Sequence, residues 1–444
     1  MFLPIELVAL EARNSLGFLK EVFALYESGT TFAISRPDVD LGDYPALRVV
    51  RHVGTAGGHG WGQFRHVRAG QDAQAPAQVM FSSGTEGKPK AILLSAGALA
   101  DVENRLMKVM EITPEIREYI GVPVTYSFGL GRARVVARAG GAFFLPETFA
   151  PTEIRDLLAA GEINAISAVP SLWRILLAQP GFLGDFGSRI RWIEIGSQYM
   201  SGPEKAALRE MFPAARIVQH YGLTEASRST FLTIDGAPEE TLESVGGPIG
   251  QTEVKIGPEG EICIRGRHLA TGVLDTDGTL MPLTDGEGWL HSRDHGALRD
   301  GLLHYHGRLD DQMNLSGIKL AAETLERQVA ELVTLPQAHF AITSVADPLR
   351  GEVLLLAHDA QGAASARLLT AALTQVLAAR GIMAGGQVRV LALDVLPRTG
   401  TGKIQRKELR RLWGARPPPR KPHPPRPAPP SRRRKRASPK SGAM

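Results

Sequence analysis

From Ala91 to Met211, short apolar runs of strand length alternate with longer stretches of helical spacing, and no other feature of the chain restricts its fold so strongly. The strand candidates are residues 91–95, 119–124, 141–145, 163–169 and 190–195. The helical patterns fall between and after them, at residues 97–110, 130–139, 152–160, 171–177 and 203–211. Strand and helix in turn imply a mostly parallel sheet with helices on both faces. In such a sheet ligands collect at the carboxyl ends of the strands.

From about residue 252 the texture changes. Strand patterns at residues 252–256, 260–265, 297–299 and 302–306 lie close together between Gly-rich turns, which predicts a small antiparallel β-rich subdomain. A smaller α+β unit follows, with helices over residues 321–333, 366–379 and 405–412 and strands over 338–343, 353–358 and 388–393. Charge interrupts the apolar pattern at Gly307-Arg308-Leu309-Asp310-Asp311, so the boundary is placed at Asp310. The expected organisation is a large domain over residues 1–310, a small α+β domain over 311–414 and a tail over 415–444. The first eighty residues carry little pattern beyond an amphipathic helix expected over residues 6–26.

The net charge of +5 belongs to the tail, because ten Lys or Arg and no acids lie between Arg416 and Lys440. With almost no apolar side chains, that segment cannot bury enough surface to order itself. It reads either as a solvated extension or as an electrostatic arm for nucleic acid, an acidic partner or anionic lipid. Cys263 is the only cysteine, which excludes an intramolecular disulfide and favours a reducing, cytoplasmic setting. Glu6 and Glu11 interrupt the apolar N-terminus and argue against a secretory leader. No apolar run has membrane-spanning length.

The stretch Phe81-Ser82-Ser83-Gly84-Thr85-Glu86-Gly87-Lys88-Pro89-Lys90 reads as a phosphate cradle at the end of a buried strand. Small hydroxyls and flexible backbone let N–H groups converge on an anion, and Lys90 adds a point charge. It is not a Walker A loop, since Pro89 follows Lys88. An ordinary Ser/Gly turn has the same composition.

Four further motifs follow in order. They are Tyr221-Gly222-Leu223-Thr224-Glu225; Gly260-Glu261-Ile262 with Arg265-Gly266, Trp289 and Asp294; the Gly307–Asp311 stretch with Ser316-Gly317 and Glu326; and Pro397-Arg398-Thr399-Gly400-Thr401-Gly402-Lys403-Ile404 with Arg406. Together with the cradle, they resemble the adenylate-forming (AMP-binding) superfamily of acyl- and aryl-CoA synthetases, luciferases and peptide-synthetase adenylation domains. The resemblance implies a large α/β domain and a small mobile C-terminal domain. It also implies that a carboxylic acid attacks the α-phosphate of ATP, releasing pyrophosphate and leaving an acyl-adenylate. Anion meets anion in that step, so catalysis rests on positioning and charge neutralisation.

By resemblance, Lys403, Glu225 and Thr85 are catalytic, and Ser82, Ser83, Gly84, Thr85, Gly87 and Lys90 hold the leaving phosphates. Glu225 helps to hold Mg²⁺, Tyr221 stacks on adenine beside Gly222 and Thr224, Asp294 accepts from the ribose hydroxyls, and Arg308 adds a ribose or phosphate contact. Lys403 bridges the carboxylate and the α-phosphate. Asp310 is the hinge residue, and Ser316 and Gly317 line the tunnel for the pantetheine arm of CoA or of a carrier protein. The motif Pro123-Val124-Thr125-Tyr126-Ser127-Phe128-Gly129 resembles the family's pocket motif, and Tyr126, Ser127, Phe128, Ser171, Ile195 and Gly196 are the candidate wall. Ser127 stands where peptide-synthetase domains place an aspartate for an α-amino group, which favours a plain carboxylic acid. Glu86 stands where a second threonine is common, and fewer residues precede the cradle than in most members, which leaves room for a homodimer surface. The expected function is that of an acyl-CoA or acyl-carrier-protein synthetase. Transfer to an amine, or a catalytically weak binding or scaffold protein, are the alternatives.

Overall fold

The computed structural model describes residues 4–37, 39–66, 72–82, 89–179, 181–315, 318–333, 339–347, 351–363, 365–380, 382, 387–399 and 402–415. Two seven-stranded sheets dominate the described residues. The second sheet holds four of the five strands of the expected alternation; the first of the five, Lys90–Ser95, lies in the other sheet, antiparallel to both its neighbours. The order in the second sheet is Thr230–Thr233, Arg216–Tyr221, Trp192–Ile195, Ala165–Ala168, Arg117–Ile120, Ala142–Leu145 and Gly60–Gly62, with the five middle strands parallel. Helices Pro151–Ala159, Pro170–Leu177 and Gly202–Met211 cover one face in a cluster built on Ile166, Ile193, Ile217 and Trp173. The other face shares a cluster with the first sheet, and helices Leu16–Glu27, Ala96–Met110 and Ser127–Ala139 contribute to it.

The helices begin where local chemistry lets them. Ser95 accepts from the Ala98 amide at the start of Ala96–Met110, and Ser201 and Glu204 make a reciprocal capping box for Gly202–Met211. Each such cap is worth about 1 kcal/mol.

The N-terminus corrects one expectation. Residues 6–26 are not one helix: Ile5–Glu11 is a strand and only Leu16–Glu27 is helical. The strand lies parallel between Phe32–Ser35 and Leu47–Val53. The run Leu7-Val8-Ala9-Leu10 is apolar without interruption, as a strand covered on both faces must be, and all four residues are buried. Ser15 ends the ambiguity by accepting from the Phe18 amide as the helix N-cap.

The strands Pro76–Ser82 and Lys90–Ser95 pair antiparallel, with Ser82 opposite Lys90, so the predicted cradle joins the two arms of a hairpin. Residues 83–88, with Ser83, Gly84, Thr85 and Gly87, lie outside the described residues. So do Ser316, Gly317 and the basic tail, as does the Asp310 side chain.

The β-rich stretch is an antiparallel sheet of Glu253–Ile256, Glu261–Arg265, Leu290–Arg299 and Leu302–Arg308. Beyond it, Phe340–Asp347, Gly351–His358 and Val388–Ala392 form a sheet with helices Ala322–Val333 and Ala366–Ala378 on one face and Arg406–Gly414 on the other. The buried Arg406 guanidinium grips both Glu326 carboxylate oxygens at 2.8 Å, tying the helix that carries Arg406 to the one that carries Glu326. Among the described residues no helix is long and apolar enough to cross a membrane.

Candidate active site

A cleft at the carboxyl ends of the parallel strands divides into two chambers, of about 310 Å³ and about 670 Å³. Ser197, His220, Gly222, Leu223, Arg308 and Lys403 line both, so they mark the junction. Four of the six lie at or just after strand ends of the parallel sheet, as the topology requires. Lys403 arrives from the C-terminal hairpin, whose turn is closed by the Thr399 amide on the Lys403 carbonyl at 2.8 Å. Gly402 has φ +80°, and a Cβ there would stand 2.6 Å from Gln198 Nε2. The left-handed backbone favours glycine here, and without a side chain the turn lies against Gln198 in the loop after strand Trp192–Ile195.

The smaller chamber holds Tyr221 and Asp294. Asp294 is buried, accepts from the Tyr221 hydroxyl at 2.8 Å and lies 3.6 Å from an Arg308 nitrogen. Burial pushes its carboxyl up to about 6, and the opposing pull of Arg308, the Tyr221 hydrogen bond and Lys403 does not cancel that cost. Because the folded value lies above the ordinary one, Asp294 favours the fold fully below about pH 4, and that contribution is lost as pH rises through about 6. Asp294→Asn is therefore expected to raise the melting temperature of the ligand-free protein at pH 8 and to weaken ATP binding about tenfold or more. Calorimetry with and without ATP checks both; a lower melting temperature at pH 8 would contradict the sign.

The larger chamber is lined by Ser82 and Lys90 from the hairpin, by Thr224 and Glu225, and by Tyr126, Ser127 and Phe128 at the start of helix Ser127–Ala139. Gly222 has a defined reason to be glycine: its Cβ would stand 2.4 Å from the Arg228 backbone nitrogen, because the loop through Glu225 doubles back on it. Ser171 lines the smaller chamber rather than this one. Ile195 lines neither; it is fully buried in the cluster beneath helices Pro170–Leu177 and Gly202–Met211. Gly196 stands under the His220 ring, so close that a Cβ there would meet the ring at 2.1 Å. Thus the wall residue at this point is His220, not the glycine.

Beneath the junction lies a buried ion network that belongs to none of the sequence motifs. Arg132 donates to Glu118 at 2.8 Å and to Glu194 at 3.1 Å; Arg228 donates to Glu194 at 2.7 Å; His220 Nδ1 lies 2.6 Å from the same carboxylate. The two arginines and the two glutamates are essentially inaccessible. Burial alone would raise the Glu194 carboxyl, but Arg228, His220 and Arg132 outweigh it and hold the group below the usual carboxylate range. Burial lowers His220, with Glu194 only partly opposing, so the imidazole is biased toward its neutral form. His220 in turn packs edge-on to Phe128, with ring centroids 4.9 Å apart, which connects the network to the pocket wall. Two further residues were not predicted. Ser197 holds φ +72° at the junction, and Arg228 holds φ +56°, conformations that cost side-chain-bearing residues and persist where surrounding structure imposes them.

The family model described as AMP-binding enzyme matches residues 22–274. A feruloyl-CoA synthase of Amycolatopsis is 25% identical over an alignment of 453 residues, covering 93% of this chain and 89% of the relative. A 2-succinylbenzoate–CoA ligase of Listeria monocytogenes is 27% identical, covering 76% of this chain and 70% of the relative. Among solved structures, ATP-bound MatB from Rhodopseudomonas palustris superposes with a TM-score of 0.73 at 20% identity, over 94% of this chain and 90% of that one.

Proposed function

The chain belongs to the family of AMP-binding enzymes, and from that premise we propose that it condenses a carboxylic acid with ATP to an acyl-adenylate, then passes the acyl group to the thiol of CoA. The observation that carries this reading is the position of Lys403. It stands where the two chambers meet, with the Asp294–Tyr221 pair on one side and Ser82, Lys90 and Glu225 on the other. A cation at that junction faces both the attacking carboxylate and the α-phosphate, where charge spreads in the transition state.

The smaller chamber suits a nucleoside. The buried Asp294 carboxylate would accept from the two ribose hydroxyls, and the Tyr221 ring, beside a glycine that carries no side chain, would offer a flat wall for adenine. In the larger chamber, Lys90 would meet the leaving phosphates. Glu225 lines the same chamber and is the hard oxygen donor that would hold Mg²⁺; the ion, when bound, neutralises phosphate charge. Tyr126, Ser127 and Phe128 would line the acyl end, with His220 closing it. Ser127 in place of an aspartate favours an acid without an α-amino group. The names of the CoA-dependent relatives support CoA over an amine as acceptor.

We place a mobile unit at residues 311–414, turning about Asp310, so that Lys403 serves adenylation and another face serves thiol transfer. The packing of the core supports this division, since among the described residues the apolar clusters of that unit contain none from before Met313. Carboxylate-dependent exchange of pyrophosphate into ATP, across a panel of alkyl, aryl and amino acids, tests the reading. Exchange with a non-amino acid, followed by thioester formation on adding CoA, is the expected result. Folded protein that supports exchange with no acid of the panel would sink it, and product formed with amines but not CoA would redirect the second step.

A further inference from the structure

We propose that Glu261, Cys263 and His291 form a binding site for a thiophilic divalent cation of the zinc class. Strand register brings them together. Cys263 stands directly opposite His291 across the antiparallel pair, and Glu261, two residues earlier, reaches the same face. Their donor atoms all lie within 4.8 Å of one another. Glu261 Oε2 is 2.8 Å and Cys263 Sγ 3.7 Å from His291 Nδ1. Zinc bonds of about 2.3 Å to sulfur and 2.0–2.1 Å to nitrogen in a tetrahedron put S and N about 3.5 Å apart, close to the separation already present.

The supporting shell is in place as well. Asp285 Oδ2 faces His291 Nε2 at 3.2 Å, and its other oxygen is fixed by the Glu287 and Trp289 amides at 2.9 Å each. A carboxylate on Nε2 holds a proton there and leaves Nδ1 as the ligand aimed at Glu261 and Cys263, the arrangement typical of metal-bound imidazole. A carboxylate and a ring nitrogen 2.8 Å apart repel unless a proton or a cation joins them. Glu261 is itself oriented, its Oε1 accepting from the Arg293 amide at 3.0 Å. Gly257 makes room for the sulfur, since a Cβ there would stand 3.0 Å from Sγ.

Charge balances too. The Cys263 thiolate and Glu261 would neutralise a divalent ion, while Lys255, whose ammonium lies 4.3 Å over the Trp289 ring and 3.6 Å from Glu287, adds positive charge beside the acids. Metal entry displaces the thiol proton and the proton shared between Nδ1 and Glu261, and the half-exposed side of His291 leaves a fourth position for water. Sulfur and imidazole donors select against Mg²⁺, which separates this site from the magnesium position proposed at Glu225.

Cobalt(II) titration of the chelator-treated full chain, followed by electronic absorption, tests the site. The expected result is one Co²⁺ per chain with a thiolate-to-cobalt charge-transfer band, displaced by Zn²⁺ and unaffected by Mg²⁺. Because Cys263 is the only cysteine, such a band can come from no other residue. Cys263→Ser should abolish the band, and His291→Gln should weaken Co²⁺ binding about tenfold or more, with circular dichroism reporting on folding. Saturable Co²⁺ or Zn²⁺ binding that fails to appear at micromolar metal, or binding without a thiolate band, overturns the proposal whether or not the variants fold.

Discussion

Replacing Lys403 by alanine is expected to slow acyl-adenylate formation by about 10²–10³-fold, the usual loss when one well-placed electrostatic partner of a transition state is removed. Thioester formation from chemically prepared acyl-adenylate should stay near its original rate. The asymmetry follows from where Lys403 stands: on a hairpin turn from the C-terminal unit, lining the larger chamber, to which that unit otherwise adds only Thr399 and Gln405 among the described residues. Under the proposed mechanism its ammonium would reach the α-phosphate only while that turn packs against the Gln198 loop. Measuring pyrophosphate exchange and thioester formation separately distinguishes the two steps. Equal damage to both in a folded protein would make Lys403 a shared or structural residue.

Glu194→Ala is expected to cost about 3–5 kcal/mol of stability, because it removes the carboxylate that Arg228 holds and leaves Arg132 with Glu118 alone in a site closed to water. Glu194→Gln keeps the shape and part of the hydrogen bonding and should lose less. Denaturant midpoints of the two variants, compared with a surface control such as Glu239→Gln, provide the measurement. A change below about 1 kcal/mol for the alanine variant would mean that the network contributes little to the fold.

The parallel sheet was legible because its strands and helices announce themselves by period, and the structure returns each expected element between residues 91 and 211 with small shifts at the ends, although Lys90–Ser95, expected in that sheet, pairs antiparallel on both sides in the other one. Strand Ile5–Glu11 was not, because a short apolar run covered on both faces has no period to separate it from a helix. The positions of Lys403, Asp294, Tyr221 and Glu225 around one cleft follow motifs that the sequence displays openly. The network under the pocket does not belong to any motif, yet it left a signal. Glu118 and Glu194 are single acids inside apolar strands of a sheet covered on both faces, and Arg132 and Arg134 sit where helix Ser127–Ala139 would otherwise be greasy. A charge in such a place must have a partner. What the residues alone could not supply is which partner, since Arg228 is 34 residues from Glu194 and reaches it through a turn with positive φ. The same holds for His220, whose ring, rather than Gly196 or Ile195, forms the wall.

That network also decides how the pocket can be retargeted. His220 and Phe128 are held from behind by ionic contacts spread over neighbouring strands and a helix, so altering either one disturbs groups that have no solvent to fall back on. Tyr126 and Ser127 carry no such obligation in the network. If the larger chamber takes the acid, as proposed, an engineer seeking a new specificity has a fixed floor and an adjustable rim, and libraries confined to the rim will keep a larger share of folded members.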